Sequence, residues 1–372
     1  MLADLTIDLD AIRANITALR TLVAPARVAA VIKADAYGHG MLAVARAIET
    51  HVDRLCVYEL AEAVALRAAG VQTRVHVLGP IAPGDLNLAH ASNVEITLWS
   101  GGTYAAHVAS TARRRHAPFA IHAKIDTGVT RLGMSIEDAP ALLARYAASP
   151  DYRIVGVFSH LAAAEELDST FTNEQLAKFL HASAHLDTAI ERHIAASAAA
   201  MLWPATRLDA IRPGIALYGI WPSDETAAIM RERTFHLVPA LRWTTQVVAI
   251  HDVPAHTSVG YGCAYYTKRP SRIGVLPIGY AEGLPRSASD RAVVLVNERR
   301  VPIVGRVCMN MAFVDLTTVP HAGTGATVTL IGSDGAARID ANEFAAFCGT
   351  IGYELVTRIP ANVPRTYRER AP

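Results

Sequence analysis

From residue 27 to about 235, short β-prone runs alternate with longer alanine-rich segments of helical period: RVAAVIK then MLAVARAIE, RLCVY then ELAEAVALRAAG, and further runs in TRVHVLG, NVEITL, FAIHAKI, YRIVGVFS, RHIAA and RLDAI. A short apolar run bounded by turn residues predicts a buried strand, whereas apolar positions recurring every three to four residues predict a helix lying on it. Strand then helix, repeated roughly eight times, is the pattern of parallel βα units, and that number favours a closed (β/α)8 barrel of the TIM type over an open sheet. Beyond about residue 236 the pattern changes to strand segments broken by Gly and Pro, in LRWTTQVVAIHDV, SRIGVLPIGY, AVVLVNERRVPIVG, FVDLT and ATVTLIG, with one helical piece near DANEFAAFC. The expected architecture is therefore α/β: a barrel over 10–235 followed by a mostly β C-terminal domain over 236–372. Residues 1–9 (MLADLTIDL) also alternate, which suggests that they add a strand to the β domain.

Composition narrows the partners. Of 372 residues 51% are apolar and 19% charged, with a formal net charge of +1, so nothing in the charge balance favours nucleic acid or an acidic membrane surface. Small molecules are the expected ligands. The amino terminus lacks a basic segment leading into an apolar core, and no apolar run is long enough to span a bilayer, so a cytoplasmic protein is expected. Cys56, Cys263, Cys308 and Cys348 are scattered, without a CxxC pair or zinc spacing, and read as free thiols; no metal is expected. The run Arg113, Arg114, Arg115, His116 closes a helical segment and reads as a solvated face.

In a barrel of this kind the site lies at the carboxyl ends of the strands, so polar residues directly after each apolar run are candidates. Lys33 ends the first run, Lys124 lies near the end of FAIHAKI with Arg131 seven residues on, and His160 ends YRIVGVFS. Ser197 follows RHIAA, and Arg212 with Gly214 follows RLDAI. A lysine closing a strand is commonly just exposed, and a lone histidine is commonly structural; it is their joint occurrence that points to a site. A lysine at a barrel mouth can be desolvated and surrounded by cations, which favours the neutral amine and Schiff-base formation with a carbonyl. Ser197 and the backbone at Gly214 and Ile215 follow the last two strands, where barrels build anion sites from loops and amide N–H groups. A phosphorylated aldehyde fits both ends, and pyridoxal 5'-phosphate is that molecule. Tyr37, four residues beyond Lys33, can reach the same phosphate.

The segments AVIKADAYGHG, KIDTGVTRLGM, GVFSHLAAAEE, IRPGIALYGI, VGYGCAYYT, PIGYAEGLPR and GRVCMNMAFVDL together, in order and spacing along nearly the whole chain, resemble the alanine racemases, pyridoxal-phosphate enzymes of fold type III. The Lys33 segment and barrel also resemble small pyridoxal-phosphate homeostasis proteins, but the segments after residue 236 point to the racemases. The resemblance implies a cytoplasmic homodimer with shared active sites that interconverts L- and D-alanine, a peptidoglycan precursor, by a two-base mechanism. It implies that Lys33 binds the cofactor and serves as the base on one face of the substrate, and that Tyr261, reaching in from the other subunit, is the base on the opposite face. Arg212 would donate to the cofactor's pyridine nitrogen, with His160 linked to it and lying beside the tyrosine. Arg131 would bond the cofactor's phenolic oxygen and the substrate carboxylate, while Lys124 matches a lysine carbamylated in several members. Phosphate contacts fall on Tyr37, Ser197, Gly214, Ile215 and Tyr353. Tyr280 and Met309 line the substrate side, Met309 through its backbone N–H and from the other subunit.

Three positions depart from the family pattern: Asn310 and Glu282 stand where Asp is common, and Val129 where Met is usual, the last a neutral packing change. Asn310 removes a charge from the mouth of the site. Two alternatives therefore stay open: a broad-specificity racemase acting on serine or basic amino acids, and a non-catalytic carrier of the cofactor.

Overall fold

The computed structural model describes residues 2–369; Met1 and residues 370–372, which fall in the expected N-terminal strand and β-rich domain, lie outside the described residues. After strand β1 (Asp4–Asp8) and a helix at Leu9–Val23 come eight parallel strands: β2 (Arg27–Val31), β3 (Arg54–Val57), β4 (Val75–Val77), β5 (Glu95–Leu98), β6 (Phe119–Lys124), β7 (Tyr152–Phe158), β8 (Glu191–His193) and β9 (Ala210–Ile211). They pair in the order β8-β7-β6-β5-β4-β3-β2-β9. The ends meet through Asp209 N–H to Arg192 O (3.0 Å) and Arg212 N–H to Ala195 O (2.8 Å), which closes the barrel. Both faces of such strands are covered, so they read as near-continuous apolar runs. Helices Met41–Ile48, Leu60–Ala68 and Thr103–Arg115 cover the outside and bury Val44, Leu66 and Val108 against it.

One strand is shorter than its sequence run. The run RHIAA is regular strand only through His193; beyond it the Arg212 guanidinium takes the carbonyls of His193 (2.8 Å) and Ile194 (3.3 Å). The barrel interior is also more polar than the branched aliphatic layers usual in this fold. Arg54, His76, Glu95, His122, Glu191 and His193 are all buried.

Past the barrel, β1 lies between β10 (Leu241–Gln246), to which it is antiparallel, and the strand Arg365–Arg368, to which it is parallel, within a seven-stranded sheet. The N-terminal strand is thus a member of the C-terminal sheet. A three-stranded sheet (Ala249–Val253, Ser271–Leu276, Ala312–Asp315) and a short hairpin (Ser258–Val259 with Tyr265–Tyr266) complete this part, and Tyr261 sits in the hairpin loop. Among the described residues no helix is long and apolar enough to cross a membrane.

Candidate active site

The chain leaves β2 at Lys33 in an uncommon way. Ala34, Asp35, Ala36 and Tyr37 all take left-handed backbone angles, with φ of 53°, 52°, 55° and 53°. Each costs an L-residue about 1–2 kcal/mol, so the turn persists only because its surroundings hold it. Glu62 Oε1 accepts the Ala34 N–H (2.6 Å), Asp35 Oδ1 accepts the Met41 N–H (2.7 Å), and Arg365 Nε donates to Gly38 O (2.9 Å). His39 donates from Nδ1 to the carbonyls of Ala36 (3.1 Å) and Tyr37 (2.9 Å) and stacks on Tyr218 with ring centroids 4.3 Å apart. This tight turn returns Tyr37 to the mouth of the barrel that Lys33 enters.

Both residues line one cavity of about 930 Å3 at the carboxyl ends of the strands. Around its wall stand Lys124, Arg131, His160 and Arg212, with Ser197, Gly214, Ile215 and Tyr353 toward one end. Burial and then the nearby Arg131 cation lower the pKa of Lys33, which favours the neutral amine. Lys124, buried and facing Arg131 and Arg212, is brought down to about 8. His160 is buried beside Arg212 and Arg131 and falls to about 3, so its ring is neutral at physiological pH.

Arg131 rides on a loop built by Asp126. Burial works against the charge of Asp126, but its carboxylate accepts the backbone N–H groups of Gly128 (2.9 Å), Val129 (3.0 Å), Thr130 (3.2 Å) and Arg131 (2.9 Å), which together hold its pKa below the usual range. Gly133, at φ 152°, closes the loop where a Cβ would lie 2.3 Å from Asp126 N.

At the other end, Ser197 Oγ accepts the Gly214 N–H (3.0 Å), and a Cβ on Gly214 would come within 2.3 Å of the Tyr37 hydroxyl. Backbone amides, Ser197 and Tyr37 therefore form a cradle that a larger residue at 214 would fill, with Tyr353 6.4 Å from the Tyr37 ring. Burial lowers Arg212 to about 10, still protonated at neutral pH. Its Nη1 bonds His193 Nδ1 (2.5 Å) and His193 O (2.8 Å), and its Nη2 bonds Ser159 O (2.7 Å). Among the described residues Nε has no hydrogen-bond partner. The expected link from Arg212 to the His160 ring is not made; the histidine bonded to Arg212 is His193, because it projects into the barrel from β8, next to β9, directly beneath the guanidinium. An amine whose neutral form burial and Arg131 favour, an anion cradle and a single free guanidinium donor fit the three functional ends of pyridoxal 5'-phosphate.

Tyr261, Tyr280 and Met309 are not in this cavity. They line a separate concavity of the C-terminal part with Arg306, Asn310 and Met311, and Tyr261 is 72% exposed, Met309 57%. Two of the three departures from the family pattern meet here: Asn310 Nδ2 donates to Glu282 Oε1 (2.8 Å), while Glu282 Oε2 accepts the Gly279 N–H (2.8 Å). The amide of Asn310 is thus spent on a buried carboxylate that lacks another side-chain donor. Asn310→Asp is expected to put two carboxylates in contact and to lower stability by about 1–3 kcal/mol. Thermal unfolding of the variant beside the wild type measures the loss.

A barrel with a desolvated strand-end lysine, an anion cradle after its last strands and an arginine free on one nitrogen defines a pyridoxal-phosphate enzyme of fold type III. Residues 7–222 match the family model described as alanine racemase, N-terminal domain, and residues 240–367 match that of the C-terminal domain. The alanine racemase of Methanococcus maripaludis is 36% identical over 97% of both chains, and that of Symbiobacterium thermophilum 38% identical over 97% of this chain and 96% of its own. Among solved structures, alanine racemase from the D-cycloserine-producing Streptomyces lavendulae superposes with a TM-score of 0.92 at 33% identity, covering 100% of this chain and 98% of that one. The Bacillus anthracis alanine racemase with bound L-Ala-P gives 0.89 at 34%, covering 99% and 95%. The chain belongs to the alanine racemase family, whose members depend on pyridoxal 5'-phosphate.

The sequence reading missed His76, His122, His193 and Glu95. The signal was present: in RVHVLG, NVEITL, FAIHAKI and RHIAA a polar residue interrupts an apolar run, and His122 shares its face with the strand-end Lys124 two positions later.

Proposed function

We propose that this protein interconverts L- and D-alanine with pyridoxal 5'-phosphate, using two bases on opposite faces of the substrate Cα, in a homodimer whose active sites are shared. The observation that carries this reading is the division of one chain into two incomplete half-sites. The Lys33 cavity has the strand-end lysine, an anion cradle and cations but not Tyr261, whereas the Tyr261 concavity has the phenol and exposed Met309 but no cradle. A second copy of the chain supplies what each lacks. The same proposal covers the division into a barrel over 10–235 and a β-rich domain over 236–372, and a cytoplasmic location.

The cofactor, when bound, is an electron sink that makes the Cα proton labile. The rest falls to the chain. Lys33 moves a proton at one face and Tyr261 of the partner subunit at the other, which inversion requires. Ser197, Tyr37, Tyr353 and the backbone of Gly214 and Ile215 hold the phosphate. Arg131 receives the phenolic oxygen and the substrate carboxylate, aided by Tyr280 and the backbone N–H of Met309 of the partner subunit. Arg212, a cation that only donates, leaves the ring nitrogen unprotonated and the sink weak, which favours returning the proton over side reactions. His160, a neutral ring, forms part of the cavity wall beside Arg212.

Lys124 belongs to the same proposal as a carbamylation site: its neutral amine adds to CO2 with loss of one proton, and the new anion orients Arg131. A carbamate signal in 13C NMR of enzyme held in labelled bicarbonate is expected, and it should vanish in Lys124→Arg. An unmodified amine in the wild type would refute it.

The similarity to the biosynthetic alanine racemase of Pseudomonas aeruginosa, 34% identical with a TM-score of 0.87, supports supply of D-alanine, a peptidoglycan precursor, as the role. Chiral chromatography after incubation with L-alanine, L-serine, L-arginine and L-lysine separately tests the substrate. D-alanine should dominate. Equal inversion of the basic amino acids would favour a broad-specificity racemase, and cofactor binding without inversion would favour a carrier.

A further inference from the structure

Beneath Arg212 the barrel holds a chain of buried polar groups that runs the depth of the fold. Arg212 Nη1 meets His193 Nδ1 at 2.5 Å, His193 Nε2 meets His122 Nδ1 at 2.9 Å, and His122 Nε2 meets Glu95 Oε2 at 2.8 Å. Glu95 in turn accepts from Arg54 Nε (2.6 Å) and, through its other oxygen, from Arg74 Nε (2.5 Å). Arg54 also pairs with Glu191, which Arg27 reaches from the far end of the barrel (3.0 Å). His122 and His193 are fully buried, and β7 places Gly156 where a Cβ would lie 2.3 Å from His122 Nδ1, so the strand makes room for this ring.

The two ends of the chain decide its direction. A guanidinium can only donate, and a carboxylate gripped by two arginines can only accept. Burial, together with the neighbouring cations, lowers both histidines, so each is a neutral ring with one N–H and one bare nitrogen. Only one arrangement then satisfies all three contacts. His193 faces Arg212 with bare Nδ1 and donates from Nε2 to His122, which is bare at Nδ1 and donates from Nε2 to Glu95. The opposite tautomers would set N–H against N–H at Arg212 and bare nitrogen against carboxylate at Glu95.

We propose that Glu95 and His122 are positioning residues for Arg212. Acting through His193, they fix the acceptor that seats the guanidinium and so aim its unpartnered Nε into the cofactor cavity. A barrel does not need this device for stability, since its interior is ordinarily filled by aliphatic side chains at no electrostatic cost. The consequence for turnover rests on the racemase reading above, whereas the tautomer assignment is independent of it.

Two variants of His122, which touches neither Arg212 nor the cavity, separate the possibilities. His122→Phe keeps a flat ring but removes the acceptor for His193. His122→Gln keeps an acceptor oxygen and a donor nitrogen spaced like the two ring nitrogens, so it can restore the direction of the chain. Nitrogen NMR of histidine-labelled protein, with and without cofactor, should find His193 protonated at Nε2 alone in the wild type and His122→Gln, and altered in His122→Phe. In the holoenzyme His122→Phe should lose about tenfold to a hundredfold in kcat with KM for alanine little changed, with a shift in the cofactor's visible absorption; His122→Gln should recover most of it. A wild-type His193 protonated at Nδ1, or charged, overturns the proposal even if His122→Phe does not fold. So does a His122→Phe enzyme with wild-type kcat, or a His122→Gln variant as impaired as His122→Phe. If the wild-type tautomers are as assigned but no amino acid is inverted, the racemase reading has failed and the tautomer chain has not.

Discussion

Mixing two inactive variants, Lys33→Ala and Tyr261→Phe, is expected to restore racemisation. Each alone loses one of the two bases: Lys33→Ala also loses covalent hold of the cofactor, while Tyr261→Phe should keep the bound cofactor and its colour. Within one chain the two residues line separate concavities, and Tyr261 is largely exposed, so the proposed site combines Lys33 of one subunit with the tyrosine of the other. In a mixed dimer one site then carries both substitutions and the other carries neither. Random exchange of subunits makes about half the dimers mixed, and with one intact site each the mixture should reach about a quarter of wild-type activity. If each chain used its own tyrosine, every site would keep one lesion and no activity would return. Steady-state rates against mixing ratio, with subunit exchange followed by mass spectrometry, tell these outcomes apart.

Gly38→Ala is expected to be the most damaging small substitution in the first cofactor segment. Gly38 ends the left-handed turn at φ 79°, and a Cβ there would lie 2.2 Å from the carbonyl oxygen of Val356. Real Cβ atoms do not tolerate such a contact with backbone, so either the turn or the helix Gly352–Thr357 must move. The left-handed conformation adds about 1 kcal/mol, and displacing the helix brings the total to about 3–5 kcal/mol. That helix carries Tyr353, and the turn carries Tyr37, so both phosphate-side tyrosines shift together. Weaker cofactor binding should accompany the lower unfolding temperature, measured by fluorescence titration and by thermal unfolding. A variant with wild-type affinity and stability would show that the contact relaxes at no cost.

The expected architecture was legible because barrels write themselves into local pattern. Runs such as RVAAVIK and FAIHAKI are apolar on both faces, and the helices between them have a single apolar stripe. Strand ends then mark the cavity, so Lys33, Lys124, His160 and Arg212 could be singled out before their neighbours were known. What was not legible was which of them touch. His160 was expected to be linked to Arg212, yet the guanidinium bonds His193, because adjacency of β8 and β9 in the closed barrel, and not nearness in sequence, brings those side chains together. Asn310 looked like a lost charge until the fold placed it against Glu282, 28 residues away.

Periodicity and strand-end chemistry thus decide the barrel, the β-rich remainder and the place of Lys33 at a strand end, since each depends on residues within a few positions of one another, whereas the cradle brings Ser197 and Gly214 to Tyr37 from beyond the last two strands of the barrel. The left-handed turn at residues 34–37 depends on clamps from Arg365 and the helix at 352–357, and no local pattern announces it. The direction of the chain from Glu95 through His122 and His193 to Arg212, and the separation of Lys33 from Tyr261, were likewise decided only when distant strands closed into a barrel and a second domain packed beside it. Hydrogen bonds and concavities are properties of positions in space, and positions in space are set by packing over the whole chain.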